Sequence, residues 1–410
     1  MTHTQTAMPT IEDMQSEQLG LQNAKTLPVS WVSSQSQLAD LVALLPSFNI
    51  IALDTEFIKR DTYYPRLALV QVNTGKGIYL VDAPELDLTN FWQALAKVPL
   101  MVWHACGEDL GIFYFLSDVP VLNNVFDTQI GLAFLTGQLQ LGYQKALEDL
   151  LQIEVDKGHS QSDWLARPLT AEQEHYAVDD VRYLLPLYQK IFNELTQQGL
   201  YEIAMADCQM YASDLYNVQQ VSDDEQYLSV SDFRYSGKQL AFLRELMAWR
   251  EKIARATNQP RTFILRKQGI RELVELMPKS KKQLKQQTSV HRKIIETYGD
   301  EILRIVEQSA ALDPSTYPAL IIPPYRSKDK TVKKAVDASI KRFSEQSGVP
   351  TNVIMRKKWL SDLYEMVALD KTEAYLPQGL LGWRFEWLKN DLLPLLKKHR
   401  ADLREGMGLK

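Results

Sequence analysis

The chain has 410 residues, which is too many for one ordinary domain but suits two to four, and 45% of them are hydrophobic, which argues against global disorder. No apolar run approaches the roughly 20 residues that a membrane helix needs. The two cysteines, Cys106 and Cys208, exclude a disulfide framework and a cysteine-rich zinc site, and they suit the reducing cytoplasm.

The net charge of −5 conceals a strong asymmetry along the chain. Residues 1–237 contain 12 Lys and Arg against 31 Asp and Glu, whereas residues 238–410 contain 34 against 20. One interpretation is a bipolar protein whose charged faces are simply solvated. The other is an acidic part that concentrates metal ions, joined to a basic part that holds a polyanion. Charge alone does not decide between them.

The first half of the chain predicts an α/β domain over residues 28–200. Residues 1–27 are polar, lack the pattern of a secretory signal, and are predicted to be a flexible tail. Residues 30–47 are typical of an amphipathic helix, with Ser36 as its N-cap. Strand character follows at residues 49–57, 67–73, 77–81 and 100–104, with a hairpin turn at 74–77. Helical patterns that alternate with the later strands indicate a mixed sheet, and they fall at residues 89–97, 107–117, 126–136, 142–152 and 171–198.

The second half of the chain is predicted to be helical. Residues 201–235 are irregular in pattern and are interpreted as a linker, and the proline-rich residues 313–327 as a second linker. A capping box at residues 236–239 opens the first helix of a small all-α domain, residues 236–312. Residues 328–410 are predicted to form another small helical domain, which is weakly similar to the first.

Two acidic residues, Asp54 and Glu56, close an apolar strand. Because side chains alternate along a strand, both point to the same face of the sheet. Two carboxylates on one face repel each other unless a cation lies between them, and oxygen ligands suit Mg²⁺ or Mn²⁺. An acidic strand end that faces solvent is the ordinary alternative.

Two further motifs contain acidic residues. Asp109 lies in the first turn of a predicted helix, where the helix dipole alone would favour an acid. Tyr176 and Asp180 are four residues apart on one helical face, and a tyrosine packed against the sheet would explain them equally well. Taken together with the strand pair, however, they supply four carboxylates and one phenol. That set is typical of a two-metal phosphodiesterase.

The ordered motifs Asp-x-Glu, Glu-Asp-Leu and Tyr-x₃-Asp resemble those of the DEDDy 3′→5′ exonucleases, and the chain resembles ribonuclease D in particular. Residues 246–250, 258–260 and Ile264 resemble HRDC domains, which are nucleic-acid-binding modules. The region of residues 328–410 resembles them more loosely. Other stretches that support the resemblance to ribonuclease D are residues 61–72, 126–129 and 161–169.

This resemblance implies an RNase H-like exonuclease domain followed by two HRDC-like domains, and the release of nucleoside 5′-monophosphates from the 3′ end of RNA. It implies that Asp54, Glu56 and Asp180 bind one divalent ion. Asp54 and Asp109 would bind a second ion, and Tyr176 would orient the attacking water. The expected substrates are tRNA precursors and other small structured RNAs. The protein is expected to act as a monomer in the cytoplasm, without a nucleotide cofactor or a membrane.

Four residues are candidates for contact with RNA. Phe57 follows the metal pair, and similar positions in the family pack against the terminal nucleotide, although a core aromatic is an equal alternative. His104 lies at a strand end, where it could approach the substrate or only hold its neighbours. Lys281 and Lys282 belong to a basic run that could bind phosphates or form a solvated face.

Two other functions stay open at the level of sequence. A DNA 3′→5′ exonuclease would use the same carboxylates, because the contact to the 2′-hydroxyl that separates RNA from DNA is not visible in the sequence. A non-catalytic RNA-binding scaffold would predict a lost carboxylate, yet all four are present. A helicase is rejected because Gly75-Lys76 and Gly237-Lys238 lack the rest of a phosphate-binding loop.

Overall fold

The computed structural model describes residues 20–155, 158, 162–326 and 330–409. They pack into two compact units. The division of the chain, as far as it is described, is Met1–Ile58, Leu67–Gln219 and Tyr325–Lys410 in unit 1, and Lys59–Arg66 and Gln220–Pro324 in unit 2. The three folded domains and two linkers drawn from the sequence stay a prediction.

Unit 1 contains a mixed six-stranded sheet with the order β1-β4-β3-β2-β5-β6. Its strands are β1 (Val29–Val32), β2 (Ile50–Ile58), β3 (Arg66–Asn73), β4 (Ile78–Asp82), β5 (Leu100–Trp103) and β6 (Val125–Asp127). β2, β5 and β6 are parallel neighbours, and β3 pairs with β4 in an antiparallel hairpin. The mixed sheet and the hairpin at residues 74–77 confirm the predicted α/β fold.

Helices follow and flank these strands up to residue 219. They are α1 (Leu21–Lys25), α2 (Gln35–Leu44), α3 (Thr89–Leu95), α4 (Gly107–Leu116), α5 (Thr128–Thr136), α6 (Tyr143–Leu151), α7 (Ala171–Arg182), α8 (Leu184–Gln197) and α9 (Tyr201–Gln219). Thr170 and Gln173 form a capping box that opens α7. The long helix predicted over residues 171–198 is two helices, α7 and α8.

Two local predictions were wrong. The N-cap of α2 is Ser34 and not Ser36, because β1 precedes it and pairs in parallel with β4. A partner strand 49 residues away cannot be seen in a local pattern. The segment predicted as helix from residue 126 begins with strand β6, and its helix begins at Thr128.

The segment predicted as an irregular linker begins with a 19-residue helix, α9. Its buried face contains Ala204, Cys208 and Ala212, which are spaced by four residues. Small side chains at this spacing carry little hydrophobic signal, so the sequence pattern appeared irregular. Of the predicted tail, residues 1–19 lie outside the described part of the chain, and α1 occupies Leu21–Lys25.

Unit 2 is helical, and its core is formed by apolar side chains from all its longer helices. The helices are α10 (Gly237–Thr257), α11 (Arg261–Ile264), α12 (Lys267–Leu276), α13 (Lys281–Gln287) and α14 (Arg292–Ala311). Ser236 and Gln239 form the predicted capping box of α10. This helix ends at Asn258, whose φ of 48° places it in the left-handed region.

The remaining helices of unit 1 are α15 (Thr331–Ser347), α16 (Thr351–Ile354), α17 (Lys357–Ala368), α18 (Phe385–Trp387), α19 (Leu393–Lys398) and α20 (Arg400–Gly406). They attach to α9 through an ion pair between Arg384 and Asp207, whose side chains are almost fully buried and 2.6 Å apart. Trp383 Nε1 donates a third hydrogen bond to Asp207. None of the described helices is long and apolar enough to cross a membrane.

Candidate functional site

Three carboxylates from two elements of unit 1 come together. Asp54 and Glu56 lie near the C-terminal end of β2, and Asp180 lies near the end of α7. One oxygen from each of the three lies within 4.8 Å of the others. The strand alternation therefore places both residues of the Asp-x-Glu motif on one face, and α7 packs so that its own acid meets them.

Asp109 lies beside this group, in the first turn of α4, and is buried. Its Oδ1 accepts a hydrogen bond of 2.5 Å from the hydroxyl of Thr55, which lies between the two acids of β2. Burial raises the pKa of Asp109 to about 6, although the bond from Thr55 acts in the opposite direction. Thr55 therefore holds one oxygen of this carboxylate in place.

The pKa values of the other three acids are also raised. Burial, followed by the negative charges of Asp180 and Asp109, raises the pKa of Glu56 to about 9. Burial raises the pKa of Asp180 to about 7, and burial together with the neighbouring acids raises that of Asp54. Such a group cannot ionise fully without nearby positive charge. A set of oxygen donors with this need could hold a divalent metal ion.

The Tyr176 hydroxyl donates a hydrogen bond to Asp180, which lowers the pKa of that carboxyl. Burial and the nearby acids raise the pKa of Tyr176 itself, so the phenol keeps its proton at neutral pH. Its ring lies 5.9 Å from that of Trp164, which is fully buried. Arg167 fixes this stretch by bonds to Asp82 and to the carbonyl of Ala68. Of the stretch 161–169, only residue 161 lies outside the described residues.

Sequence reasoning missed two residues of this region, Thr55 and Tyr143. Tyr143 is the first residue of α6, and its hydroxyl donates to the backbone carbonyl of Asp179 at 3.1 Å. With Tyr176 and Asp180 it lines a hollow of about 500 Å³. The position of Thr55 between two acids was a signal in the sequence, although its bond to Asp109 was not, and nothing local to Tyr143 shows that it contacts α7.

The predicted RNA-contact residues have different surroundings. Phe57 is half-buried and packs against the core of unit 1. The His104 ring lies 5.5 Å from that of Tyr143, and burial lowers its pKa. In unit 2, Lys281 is paired with Asp300 at 2.6 Å, and Lys282 is exposed. Whether these residues contact RNA stays a prediction.

His104 is hydrogen-bonded to the first residue of α5. The hydroxyl of Thr128 donates to the carbonyl of Trp103 at 3.0 Å, and it lies 2.9 Å from Nδ1 of His104. The histidine holds β5 and α5 together, whatever else it contacts.

Comparisons with known proteins agree with this geometry. A family model described as 3′-5′ exonuclease matches residues 29–196, and the HRDC domain model matches residues 239–306. Ribonuclease D of Pseudomonas paraeruginosa is 33% identical over 377 residues, which are 90% of this chain and 98% of that protein. The chain belongs to the ribonuclease D family. Ribonuclease D of Psychromonas ingrahamii is also 33% identical, over 87% of this chain and 96% of that protein.

A solved structure extends the similarity to the whole fold. The crystal structure of Escherichia coli RNase D superposes with a TM-score of 0.83 at 27% identity, covering 91% of this chain and all of that one. Membership of the ribonuclease D family confirms the predicted exonuclease fold, the helical domain that follows it, and the prediction of a hydrolytic enzyme. The HRDC match lies within the predicted domain of residues 236–312. The likeness of residues 328–410 to HRDC domains stays a prediction.

Proposed function

We propose that this protein is a 3′→5′ exoribonuclease that hydrolyses RNA one nucleotide at a time with two divalent cations, Mg²⁺ or Mn²⁺. Asp54, Glu56 and Asp180 would hold one ion, and Asp54 with Asp109 the other. The observation that carries the proposal is the group of buried carboxylates with raised pKa values, in a chain of the ribonuclease D family. The all-oxygen donor set fits these ions.

Each residue has a distinct role in this proposal. Cations bound there would supply positive charge beside the attacking water and the leaving 3′ oxygen. Thr55 engages Oδ1 of Asp109 and so holds this carboxylate in the orientation in which it would bind its ion. Tyr176 keeps its proton at neutral pH, so it acts as a hydrogen-bond donor that orients water and not as a general base.

The substrates proposed are RNAs with a free 3′ end, such as tRNA precursors and other small structured RNAs. The E. coli relative is described as an exoribonuclease involved in structured RNA processing, which supports this class. Residues 238–293 contain 15 basic and 4 acidic residues, which suits contact with phosphates. The proposed contacts are Phe57, His104, Lys281 and Lys282. We also propose that the protein acts as a monomer in the cytoplasm, where its two free, buried cysteines would stay reduced.

A single assay tests the proposal. A 5′-labelled RNA with a short single-stranded 3′ overhang beside a duplex is incubated with wild type and with Asp54→Asn, in Mg²⁺, Mn²⁺ or EDTA. The matched DNA serves as the comparison substrate. We expect stepwise shortening of RNA that needs both the metal and Asp54. Shortening of DNA alone would identify a DNA exonuclease. Tight RNA binding without cleavage under every metal condition would leave only a binding scaffold.

A further inference from the structure

The segment Lys59–Arg66 connects two strands of unit 1 but packs with unit 2. It follows β2, which ends at Ile58 only two residues beyond Glu56, and it leads into β3. Pro65 restricts the backbone next to β3, so the segment is stiff at that end. Contacts that hold residues 59–66 therefore also restrict the end of β2, which carries two of the four carboxylates.

Tyr63 attaches the segment to α10 and α11. Its hydroxyl donates to the carboxylate of Glu251 and accepts from Arg255 Nε at 3.1 Å and Arg261 Nη2 at 3.0 Å. Glu251 is only 1% exposed, and both of its oxygens accept from Arg261 at 2.6 Å. A bidentate pair whose carboxylate is buried while its guanidinium is partly exposed still has a defined geometry, and the phenol is part of it.

Two further contacts fix the same segment. The Arg261 guanidinium lies 4.7 Å from the centre of the Tyr63 ring, in a cation–π arrangement. The backbone N–H of Tyr64 donates to the side chain of Asn258 at 3.2 Å. Asn258 is the left-handed residue that ends α10, so the segment is bound where this helix stops. Side chain, ring and backbone are thus all engaged within unit 2.

We propose that Tyr63 is a positioning residue for the carboxylate site. By fastening the segment after β2 to Glu251 and Arg261, it keeps the C-terminal end of that strand, with Asp54 and Glu56, in the arrangement that binds the ions. The helical unit would then support the reaction through this segment, in addition to any contact with RNA. This inference rests on the proposed function, because it concerns the same reaction.

The test uses the full-length protein with Tyr63→Phe, which removes only the hydroxyl, and Tyr63→Ala, which removes the ring as well. The matched control is Ser236→Ala, which weakens α10 at its N-cap without touching the segment. The measurements are kcat and KM for stepwise RNA shortening, and Mn²⁺ affinity by calorimetry without RNA. Trypsin cleavage after Lys59 and Arg60 reports release of the segment.

We expect kcat to fall about tenfold in Tyr63→Phe and further in Tyr63→Ala, with KM changed less than about twofold, because misplaced groups lose transition-state stabilisation. Mn²⁺ affinity should fall with kcat, and Ser236→Ala should leave both near wild type. If Tyr63→Ala releases the segment to trypsin yet keeps wild-type kcat and Mn²⁺ affinity, the inference is overturned. A wild type that shortens no RNA would refute the proposed function instead, and the Mn²⁺ titration would still test Tyr63.

Discussion

Asp54 experiences the charge of every other acid in the site. Burial raises its pKa most, and the charges of Asp109, Asp180 and Glu56 raise it further. Holding this group in the folded, metal-free protein therefore costs free energy that ion binding would recover. This single side chain links the activity of the protein to its stability.

Asp54→Asn should separate these two effects. Removing the ionisable group should raise the melting temperature in EDTA at about pH 8 by a few degrees, because the folded state no longer has to accommodate a buried carboxyl among three other acids. The same change should lower kcat by at least about a hundredfold, since a group that stabilises charge in the transition state is lost. Calorimetry and single-turnover assays measure the two effects. A lower melting temperature in EDTA would contradict the electrostatic explanation.

The pH dependence follows from the direction of the shifts. In the folded chain the pKa is about 9 for Glu56, about 7 for Asp180 and about 6 for Asp109, all above the value of about 4 expected when unfolded. The folded state thus binds more protons, and the metal-free protein loses stability as the pH rises through this interval. Metal binding strengthens over the same interval because it needs ionised ligands.

We therefore expect the rise in melting temperature caused by a fixed Mg²⁺ concentration to grow from about pH 5.5 to about pH 8.5. Thermal unfolding with Mg²⁺ and with EDTA at each pH measures it. The Asp54→Asn protein is the control and should show a smaller increase. If the rise in melting temperature caused by Mg²⁺ stays constant or becomes smaller as the pH increases, the raised pKa values of the acids are contradicted.

Tyr143 should influence the reaction through its hydrogen bond to Asp179, the residue before Asp180. Tyr143→Phe removes the hydrogen bond to the Asp179 carbonyl, next to Asp180, and should lower kcat severalfold while costing about 1 kcal/mol of stability. Tyr188→Phe is a matched control, because it also removes a single tyrosine hydroxyl, one that lies 3.0 Å from that of Tyr201 in the core. Steady-state kinetics and urea unfolding compare the two. If both variants have the same kcat, Tyr143 has no role in the reaction beyond that of an ordinary buried tyrosine.

At the scale of elements, the sequence predicted those that carry strong local signals. The run of apolar residues that becomes β2, the hairpin at residues 74–77 and the capping box at Ser236 each depend on neighbours within a few residues. β1 and α9 were missed because their stability comes from distant partners: β4 for the strand, and the packed face of small residues for the helix. Local patterns do not contain that information.

The residues of the site also differ in whether the sequence alone could identify them. The four carboxylates and Tyr176 were identifiable because their residue types and order are distinctive in the sequence. The bond from Thr55 to Asp109 joins residues 54 positions apart, and Tyr143 reaches Asp179 across 36. Such contacts become visible only when the elements are packed together.

The attachment of the C-terminal helices to α9 gives a prediction about a pair of residues. Asp207→Ala would leave the Arg384 guanidinium buried without its carboxylate and should destabilise unit 1 by roughly 3–5 kcal/mol. The exposed acid Asp149, paired with Lys145, is the control, and Asp149→Ala should cost less than about 1 kcal/mol. Urea unfolding measures both. A cost for Asp207→Ala no larger than the control would show that the pair does not hold these helices.

At the scale of the whole molecule, order along the chain and packing do not coincide. Residues 59–66 pack with the helical unit although they lie between two strands of the sheet, and the last helices belong to unit 1 although they follow the helical unit. Composition divided the chain into an acidic and a basic part, which matches the exonuclease and HRDC family regions. It could not show which segments pack together, because that depends on contacts between residues far apart in sequence.

The central claim is that Asp54, Glu56, Asp109 and Asp180 form a centre for two divalent ions. The most direct test is anomalous diffraction from crystals soaked in MnCl₂. We expect two manganese peaks, both in contact with Asp54, one also with Glu56 and Asp180 and the other with Asp109. No peak at these carboxylates, or a single ion that Asp54 does not touch, would contradict the claim.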